Sequence, residues 1–422
     1  MRIIADLHIH SRFSRATSSD MDIPAIARAA KQKGIKLVAT GDFTHPEYFA
    51  SLKKHLRDAG NGLYTFDDVH FIVNTEVNNI YSAAGRLRRI HNLIFVPSLE
   101  SAAGVSGLLS KYGKLDADGR PSVSISCYEM LARIMEIEPR AFIVPAHIWT
   151  PWFSLYGSHS GFDSFAECFG DLADEVFAVE TGLSSDPPMN WRISELDHKT
   201  LISNSDAHSP SRLGREANVF DCELNYDTIR EVLKTGDRKR FLFTIEFFPE
   251  EGKYHYDGHR SCGVRVSPAE SILSGDICPV CGRKLTIGVL HRVEQLADRK
   301  VDNLPRDRIP FRHLVPLEEI IAEALKLGRE TAGVARKYEE LVTGLAPEFE
   351  ILLDVPISEI ARYDELIAQG VERMRRGEII VEPGFDGVFG TVQVLPGAVI
   401  ASAPSEPRND EGKNGRQLKL FG

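Results

Sequence analysis

Seven short apolar runs, nearly all ending in histidine, aspartate or glutamate, constrain this fold more than any other feature of the chain. Buried parallel strands read as continuous Val, Ile and Leu runs, and amphipathic stretches such as residues 23–33 predict helices between them. The pattern indicates repeated βα units and predicts an α/β fold, a distorted (β/α)7 barrel related to the eight-stranded TIM form. The runs cover residues 3–10, 36–42, 70–76, 90–96, 141–147, 176–180 and 201–208.

The polar residues that end these runs are candidate metal ligands. In a barrel of βα units, functional residues gather at the carboxyl ends of the strands, so the pattern predicts one polynuclear metal site. A single His-x-His pair can simply close a strand, but repetition of the pattern favours the metal site. His45 and Glu180 are further candidates that the sequence leaves open. The predicted ligands are His8, His10, Asp42, Glu76, His91, His147, Asp206 and His208.

This ordered set resembles the metal-binding motifs of the PHP (polymerase and histidinol phosphatase) phosphoesterases across roughly residues 1–250. The resemblance implies two or three divalent ions (Zn, Mg or Mn) and hydrolysis of a phosphate ester, with Glu76, Asp206 and His208 as catalytic residues. One departure is that many family members place an acid or a histidine shortly after the first pair. Here Phe13-Ser14-Arg15 occupies that place, which affects how completely the cluster is filled.

Cysteines beyond residue 250 indicate a second metal site. Cys278-Pro279-Val280-Cys281 is a knuckle turn, and with Cys262 and His259 it fits a closed tetrahedral Cys3His zinc site that supports folding. His255 and His291 are rivals for the fourth ligand. A redox role is disfavoured because no thioredoxin-like βαβ frame surrounds the motif, and a disulfide is disfavoured by the expected cytoplasmic setting.

A PHP barrel followed by His-x-x-Cys, Cys-Pro-x-Cys-Gly and Val-Leu-His-Arg-Val-Glu resembles the endonuclease Q family of DNA repair nucleases. The resemblance implies incision of double-stranded DNA on the 5′ side of uracil, hypoxanthine, xanthine and abasic sites, leaving a 3′-hydroxyl and a 5′-phosphate. Deaminated bases differ at their pairing edge, so recognition requires extrusion from the stack.

Aromatic residues after His147 and two polar residues are candidate contacts for an extruded base. Core packing is the alternative for the aromatics, but Pro, Ser and Gly around them favour an open loop. The candidates are Trp149, Trp152, Phe153, Tyr156, Asn204 and Ser205.

The C-terminal third has helical periodicity. Apolar stripes predict helices at 317–325, 334–342 and 357–376, and the segments 378–381 and 390–394 flank a Gly-rich turn and predict a hairpin. Such a helical bundle serves either as a structural scaffold or as a DNA-binding module. The expected domains are a barrel at 1–250, a zinc-binding module at 251–300, a helical domain with a terminal hairpin at 301–400 and a disordered tail at 401–422.

The end of the tail, with Gln417, Leu418, Leu420 and Phe421, resembles the pentapeptide by which bacterial proteins dock on the replication sliding clamp, although so short a pattern also arises by chance. The first residues lack a signal-peptide core, and no run of about twenty apolar residues indicates a membrane span. A cytoplasmic, nucleoid-associated protein is therefore expected.

Net charge and the number of candidate metal ligands limit the alternative functions. A net charge of −10 argues against a protein that coats nucleic acid, and the basic clusters at 234–240 and 373–376 are typical of solvated faces. A small-molecule phosphatase would share the metals but has no use for the appended modules. A noncatalytic DNA-binding subunit would not need a nearly complete ligand set.

Overall fold

The computed structural model describes residues 2–396. Its strands are β1 (Arg2–Asp6), β2 (Leu37–Ala39), β3 (Arg57–Asp58), β4 (Tyr64–Phe66), β5 (Val69–Ala83), β6 (Arg86–Val96), β7 (Ser122–Val123), β8 (Phe142–Pro145), β9 (Ala178–Glu180), β10 (Thr200–Ile202), β11 (Ala217–Asp221), β12 (Phe241–Glu246), β13 (Asp257–His259), β14 (Val264–Val266), β15 (Phe311–His313), β16 (Ile380–Glu382) and β17 (Thr391–Gln393). Its helices are α1 (Ile23–Lys33), α2 (Pro46–His55), α3 (Leu99–Leu109), α4 (Cys127–Ile137), α5 (Phe165–Phe169), α6 (Pro187–Asn190), α7 (Tyr226–Thr235), α8 (Pro268–Leu273), α9 (Val289–Leu296), α10 (Leu317–Leu325), α11 (Ala332–Gly344), α12 (Glu348–Leu353), α13 (Ile357–Ala361) and α14 (Glu365–Arg375).

Each of the seven apolar runs contains a strand, namely β1, β2, β5, β6, β8, β9 and β10, which confirms the predicted α/β fold. β1, β2 and β5 pair in parallel, as do β9 and β10. Ile148 N–H donates to the Glu180 carbonyl beside β9, and a parallel bridge joins Ile9 to Ala207 beyond β1 and β10. These contacts bring the ends of the strand row together around a common centre.

The fourth strand departs from the expected parallel arrangement. β6 pairs antiparallel with both β5 and β8. Only Ala84 and Gly85 separate β5 from β6, and their φ angles are 50° and 71°, as a tight hairpin turn requires. Two residues are too few for a helical crossover, so a parallel return is impossible here.

α1 shows how local sequence fixes the elements around the barrel. The Asp22 side chain accepts a hydrogen bond from Ala25 N–H at its start, and Gly34 in the left-handed conformation ends it. The buried face includes the two isoleucines and four alanines, Ile23, Ala25, Ile26, Ala27, Ala29 and Ala30. This face lies against the sheet and fixes the helix that follows β1.

β12, near the end of the barrel segment, lies outside the row of seven strands. It pairs antiparallel with β11, which pairs antiparallel with β1. On its other side β12 pairs in parallel with β15, so the C-terminal third adds a strand to the barrel sheet. The domain boundaries remain a prediction.

The C-terminal helices match the sequence patterns in part. α10 and α11 occupy the predicted positions, and β16 pairs with β17 as the predicted hairpin. The single helix expected over 357–376 is wrong, because α13 stops and α14 starts anew at Asp364, whose side chain accepts from Leu366 and Ile367 N–H. No helix among residues 2–396 is both long enough and apolar enough to span a bilayer.

Candidate metal centre and active site

The end of β1 delivers two buried imidazoles to one point. The Nε2 atoms of His8 and His10 and Oδ1 of Asp206 lack hydrogen-bond partners among the described residues. His10 Nε2 lies 3.1 Å from both Glu76 Oε2 and Asp206 Oδ1, and His8 Nε2 lies 3.6 Å from both. Ligands at about 2.1 Å from a tetrahedral ion are about 3.4 Å apart. Since buried unpartnered polar atoms are rare, a shared cation fits this set.

A second group shares Glu76 with the first. Glu76 Oε1 lies 2.7 Å from His91 Nδ1 and 3.2 Å from His147 Nε2, and those two nitrogens are 3.3 Å apart. Because the two oxygens of Glu76 face different groups, this carboxylate can bridge two ions.

A third group lies on the other side of His10. The three residues that offer its ligand atoms are His10, Asp206 and His208. His208 Nδ1 lies 3.6 Å from Asp206 Oδ1, and the His10 and His208 ring centroids are 4.6 Å apart. The three overlapping groups bring seven of the eight predicted ligands together, and their role as ligands remains a prediction.

Asp42, the eighth predicted ligand, lies behind the cluster. Its Oδ1 is 3.0 Å from His10 Nδ1, and its Oδ2 accepts from the N–H and hydroxyl of Ser11. Its oxygens are therefore committed away from the converging atoms, which corrects the expectation of a direct ligand. A carboxylate in this position fixes the tautomer and orientation of a metal-binding imidazole.

Glu180 plays the same part for His8. Its Oε1 lies 3.0 Å from His8 Nδ1, and it also accepts from His147 N–H and from the Asn204 amide, both at 2.8 Å. Glu180 thereby ties three strand ends together behind the cluster. His45, the other open candidate, is buried, stacks on Phe13 at 4.3 Å and joins none of the ligand groups found in the described chain.

Burial and paired charge set the protonation of the cluster. Burial acts to raise the pKa of Glu76, but His91 and Arg120 hold it well below its usual value. Burial acts to lower the pKa of His8, but Glu180 and Asp206 hold it well above its usual value. A cation bound at His8 would therefore have to displace the proton of this imidazole.

Arg120 is a site residue that sequence reasoning missed. Its Nη1 lies 3.3 Å from Glu76 Oε2, at the edge of the ligand cluster. The preceding Gly119 is required there, since a Cβ at this position would lie 2.3 Å from Asp42 Oδ2 and 2.4 Å from Ser14 Oγ. The loop carries no periodic pattern, and an isolated arginine between an Asp-Gly pair and a proline gives no signal of its destination.

The predicted base contacts divide into two classes. Trp149 and Tyr156 are completely buried, with ring centroids 4.9 Å apart, so the expectation that they contact substrate is wrong. The loop folds inward because the indole N–H donates to Asn190 and the tyrosine hydroxyl to Glu195.

Trp152 is 51% exposed, and its ring stacks on His159. Phe153 packs on His91 with centroids 5.0 Å apart. These two aromatic side chains remain candidates for contact with a base beside the metal cluster.

Asn204 and Ser205 are also corrected. Both are completely buried, with Asn204 accepting from Leu7 N–H and Ser205 donating to Asp6. These hydrogen bonds hold the end of β10 against the end of β1, so the two residues shape the site without reaching its surface.

The predicted zinc ligands come together in space. His259, Cys262, Cys278 and Cys281 place their ligand atoms within 4.8 Å of one another. The rivals for the fourth position lie elsewhere, since His255 stacks on Tyr256 and His291 Nδ1 lies 2.6 Å from Asp257 Oδ2. The clamp-like residues Gln417, Leu418, Leu420 and Phe421 lie outside the described residues, so clamp binding remains a prediction.

Solved structures decide the relationship. The lesion-specific endonuclease PfuEndoQ from Pyrococcus furiosus is 32% identical, with a TM-score of 0.84 over 95% of this chain and 98% of that one. The chain belongs to the endonuclease Q family. Another endonuclease Q structure, a complex with a 27-mer duplex substrate carrying an abasic lesion at the active site, gives a TM-score of 0.83 at 32% identity and the same coverage.

Two further matches concern protein MJ0043. Residues 316–378 match the family model described as the MJ0043 C-terminal domain. Protein MJ0043 of Methanocaldococcus jannaschii is 34% identical over 256 residues, 59% of this chain, and the match spans 31% of that relative's length. The family-model match covers the helices from α10 to α14.

Proposed function

We propose that this chain is a metal-dependent DNA repair endonuclease. It hydrolyses the phosphodiester on the 5′ side of deaminated bases (uracil, hypoxanthine and xanthine) and of abasic sites, leaving a 3′-hydroxyl and a 5′-phosphate. The observation that carries the proposal is the convergence of histidines and acids that lie on or just after five strands (β1, β5, β6, β8 and β10) of an endonuclease Q fold. The endonuclease Q complex with duplex DNA and an abasic lesion supports the choice of substrate.

The ligand groups would hold two or three divalent ions. His8 and His10 with Glu76 form one group, and Glu76 bridges to the second. Divalent ions, when bound, activate a water molecule and offset the charge that develops on the scissile phosphate. Asp42 and Glu180 hold the imidazoles in place, and Arg120 orients the phosphate by its guanidinium beside Glu76.

Lesion recognition would use the open rim of the site. Phe153 lies against His91 and Trp152 is exposed, so both can stack on a base removed from the duplex. Such stacking contributes roughly 1–3 kcal/mol per base.

Nick mapping tests the activity. Duplexes with one uracil, hypoxanthine, xanthine or abasic site are incubated with Mg2+ or Mn2+ and resolved beside sequencing ladders. A single nick 5′ to the lesion, extendable by a polymerase and absent from undamaged duplex, is the expected result. Asp206→Asn should abolish it and the exposed Asp302→Asn should retain it. If the protein hydrolysed only small phosphate esters, a small-molecule phosphatase would be favoured. If it bound the lesion without cleaving the DNA, a noncatalytic DNA-binding subunit would be favoured.

A structural zinc ion completes the proposal. Elemental analysis of Cys278→Ser should show one zinc equivalent fewer than the parent, with a lower midpoint of thermal unfolding. Cys222→Ser is the matched control, since Cys222 lies outside the cluster. Unchanged zinc content in Cys278→Ser would exclude the site.

Two further expectations extend the proposal beyond the described residues. The tail would bring the enzyme to the sliding clamp, and a cytoplasmic, nucleoid-associated location would follow from the substrate. A fluorescent peptide ending in Gln417-Leu418-Lys419-Leu420-Phe421-Gly422 should bind the clamp, and one with Leu420 and Phe421 changed to alanine should not.

A further inference from the structure

A cavity remote from the metal ligands opens at the amino end of β10. Its volume is about 410 Å³, within the range of roughly 300–1,000 Å³ typical of small-ligand pockets. Thr200 and Leu201 form part of its wall, whereas Asp206 and His208 follow the carboxyl end of the same strand. Its lining includes none of the metal, zinc or base-contact residues considered above.

One wall of the cavity is cationic. Lys234 in the last turn of α7, Arg238 just beyond it and Arg308 from the segment before β15 all line the cavity. These three cationic side chains share the lining with two carboxylates, Asp197 and Asp307, whereas the ammonium of Lys199 donates to the Ala173 carbonyl outside the lining. The surplus outweighs the partial negative charge of roughly half a unit at the end of a helix such as α7. In a chain of net charge −10, this concentration of positive charge favours an anionic ligand.

The cationic groups differ in how free they are to bind. Arg308 is held by Asp197, which Arg299 also contacts. Arg238 pairs with Asp307 at 3.1 Å, but the Asp307 side chain is 97% exposed, so this pair is weak. Lys234 is exposed at the rim. A phosphate group can therefore bind Lys234 and Arg238 without leaving a buried carboxylate unpaired.

Another part of the cavity lining is apolar. Trp191, Leu196 and Ile309 form this part. The Trp191 ring is fixed by an edge-on contact with Phe311, with centroids 5.7 Å apart and planes at 70°. A preformed indole surface beside a cationic rim suits a planar base joined to a phosphate, because stacking tolerates any base and the cations recognise the anion.

We propose that this cavity binds a nucleoside monophosphate, with its base against Trp191 and its phosphate on Lys234 and Arg238. The cavity is a ligand site separate from the metal centre, and its occupation does not depend on the proposed nuclease function. Its volume admits one nucleotide rather than a duplex.

Isothermal titration of the full chain with AMP tests the assignment. AMP should bind with one saturable site that survives Asp206→Asn, and Lys234→Ala and Arg238→Ala should each weaken it at least tenfold. Lys239→Ala is the matched control, since it removes the same charge from the same exposed cluster but lies outside the cavity lining. It should leave the AMP affinity unchanged.

Several outcomes would overturn the proposal. If Asp206→Asn abolished AMP binding while Lys234→Ala retained it, AMP would bind at the metal centre and not in this cavity. If Lys239→Ala weakened AMP binding as much as Lys234→Ala, the loss of affinity would reflect general surface charge and not a specific site. If inorganic phosphate bound as tightly as AMP, the cavity would not be a nucleotide site. Displacement of AMP by undamaged duplex would assign the cavity to DNA. The Lys234→Ala variant should still nick lesion-containing DNA at the parent rate. A result against AMP binding would then leave the proposed nuclease function untouched.

Discussion

At the scale of single residues, the metal cluster depends on carboxylates that do not reach it. Asp42 and Glu180 lie on the Nδ1 side of His10 and His8, so that each Nε2 is directed at the common centre. Glu180 also accepts a backbone N–H from His147, a residue of the second ligand group. One buried side chain therefore orients ligands in two groups at once.

Replacement of Glu180 tests this role. Glu180→Gln removes the charge that holds His8 while keeping the shape of the side chain, so metal affinity should fall roughly 10- to 100-fold. Competition with a chromophoric chelator measures the affinity, and the exposed Glu175→Gln is the control. Parent-like affinity in Glu180→Gln would mean that the imidazoles need no support.

A second residue-scale feature is a buried acid pair below the site. Burial raises the pKa of Glu246 to about 7, and Thr181 and Ser203 donate to its carboxylate. Burial and the charge of Glu246 raise the pKa of Glu216 well above its usual value. Because the folded-state pKa of Glu246 exceeds the unfolded one, the folded state holds the extra proton, and stability falls as the pH rises from about 4.5 to about 7.

Glu246→Gln should relieve this loss. The amide oxygen of glutamine can accept from Thr181 and Ser203 without charge, so the variant should gain on the order of 2–3 kcal/mol at pH 8 relative to its effect at pH 4. Urea unfolding at the two pH values gives the difference, with the exposed Glu231→Gln as control. An equal effect at both pH values would contradict a raised pKa.

At the scale of elements, close packing fixes the C-terminal helices. A Cβ on Gly370 of α14 would lie 2.7 Å from Ile320 Cγ2 of α10. Ile320 is fully buried and its methyl cannot move aside easily. The contact brings the two helix backbones together and leaves no space for a larger residue.

Two glycine substitutions separate packing from helix propensity. Gly370→Ala should destabilise the fold by about 1–3 kcal/mol because of overpacking. Gly107→Ala in α3, where a Cβ would meet nothing within 4 Å, should stabilise it by roughly 0.5–1 kcal/mol. Chemical denaturation of both variants measures the two effects, and a change of the same sign in both would refute the packing argument.

At the scale of the whole molecule, the barrel and the C-terminal helices share a buried charged contact. Lys33 Nζ of α1 lies 2.6 Å from Glu348 Oε2 of α12, with both side chains almost fully buried. Tyr338 OH and Leu317 N–H also donate to Glu348. Together with the pairing of β12 and β15, this contact makes the C-terminal third part of the barrel's support.

Removal of the Glu348 carboxylate should weaken that support. Glu348→Ala leaves Lys33 buried without a partner and should cost about 3–5 kcal/mol of unfolding free energy. Lys33→Met combined with Glu348→Leu should cost much less, because no uncompensated charge remains. Differential scanning calorimetry compares the two, and equal losses would show that the ion pair itself supplies the stability.

Sequence patterns were enough to locate the seven strands and the order of the candidate ligands along the chain, because burial selects apolar runs and the candidate ligands interrupt or follow them. Glu76 and His91, however, lie within β5 and β6 rather than at their ends. The Cys-Pro-Val-Cys motif also located the grouping of His259, Cys262, Cys278 and Cys281, which lie within a short stretch of chain. The α13–α14 break could also be read from the sequence, since Asp364 is a recognisable helix cap.

Which groups face the common centre depends on contacts made in the folded chain. The roles of Asp42, Glu180 and Arg120 depend on side chains up to 172 residues apart in the chain, and the inward turn of Trp149 and Tyr156 depends on Asn190 and Glu195. Strand periodicity states that a residue is near the end of a strand. It carries no information on long-range hydrogen-bond partners, and these determine whether a polar or aromatic group meets the solvent, a metal or the core.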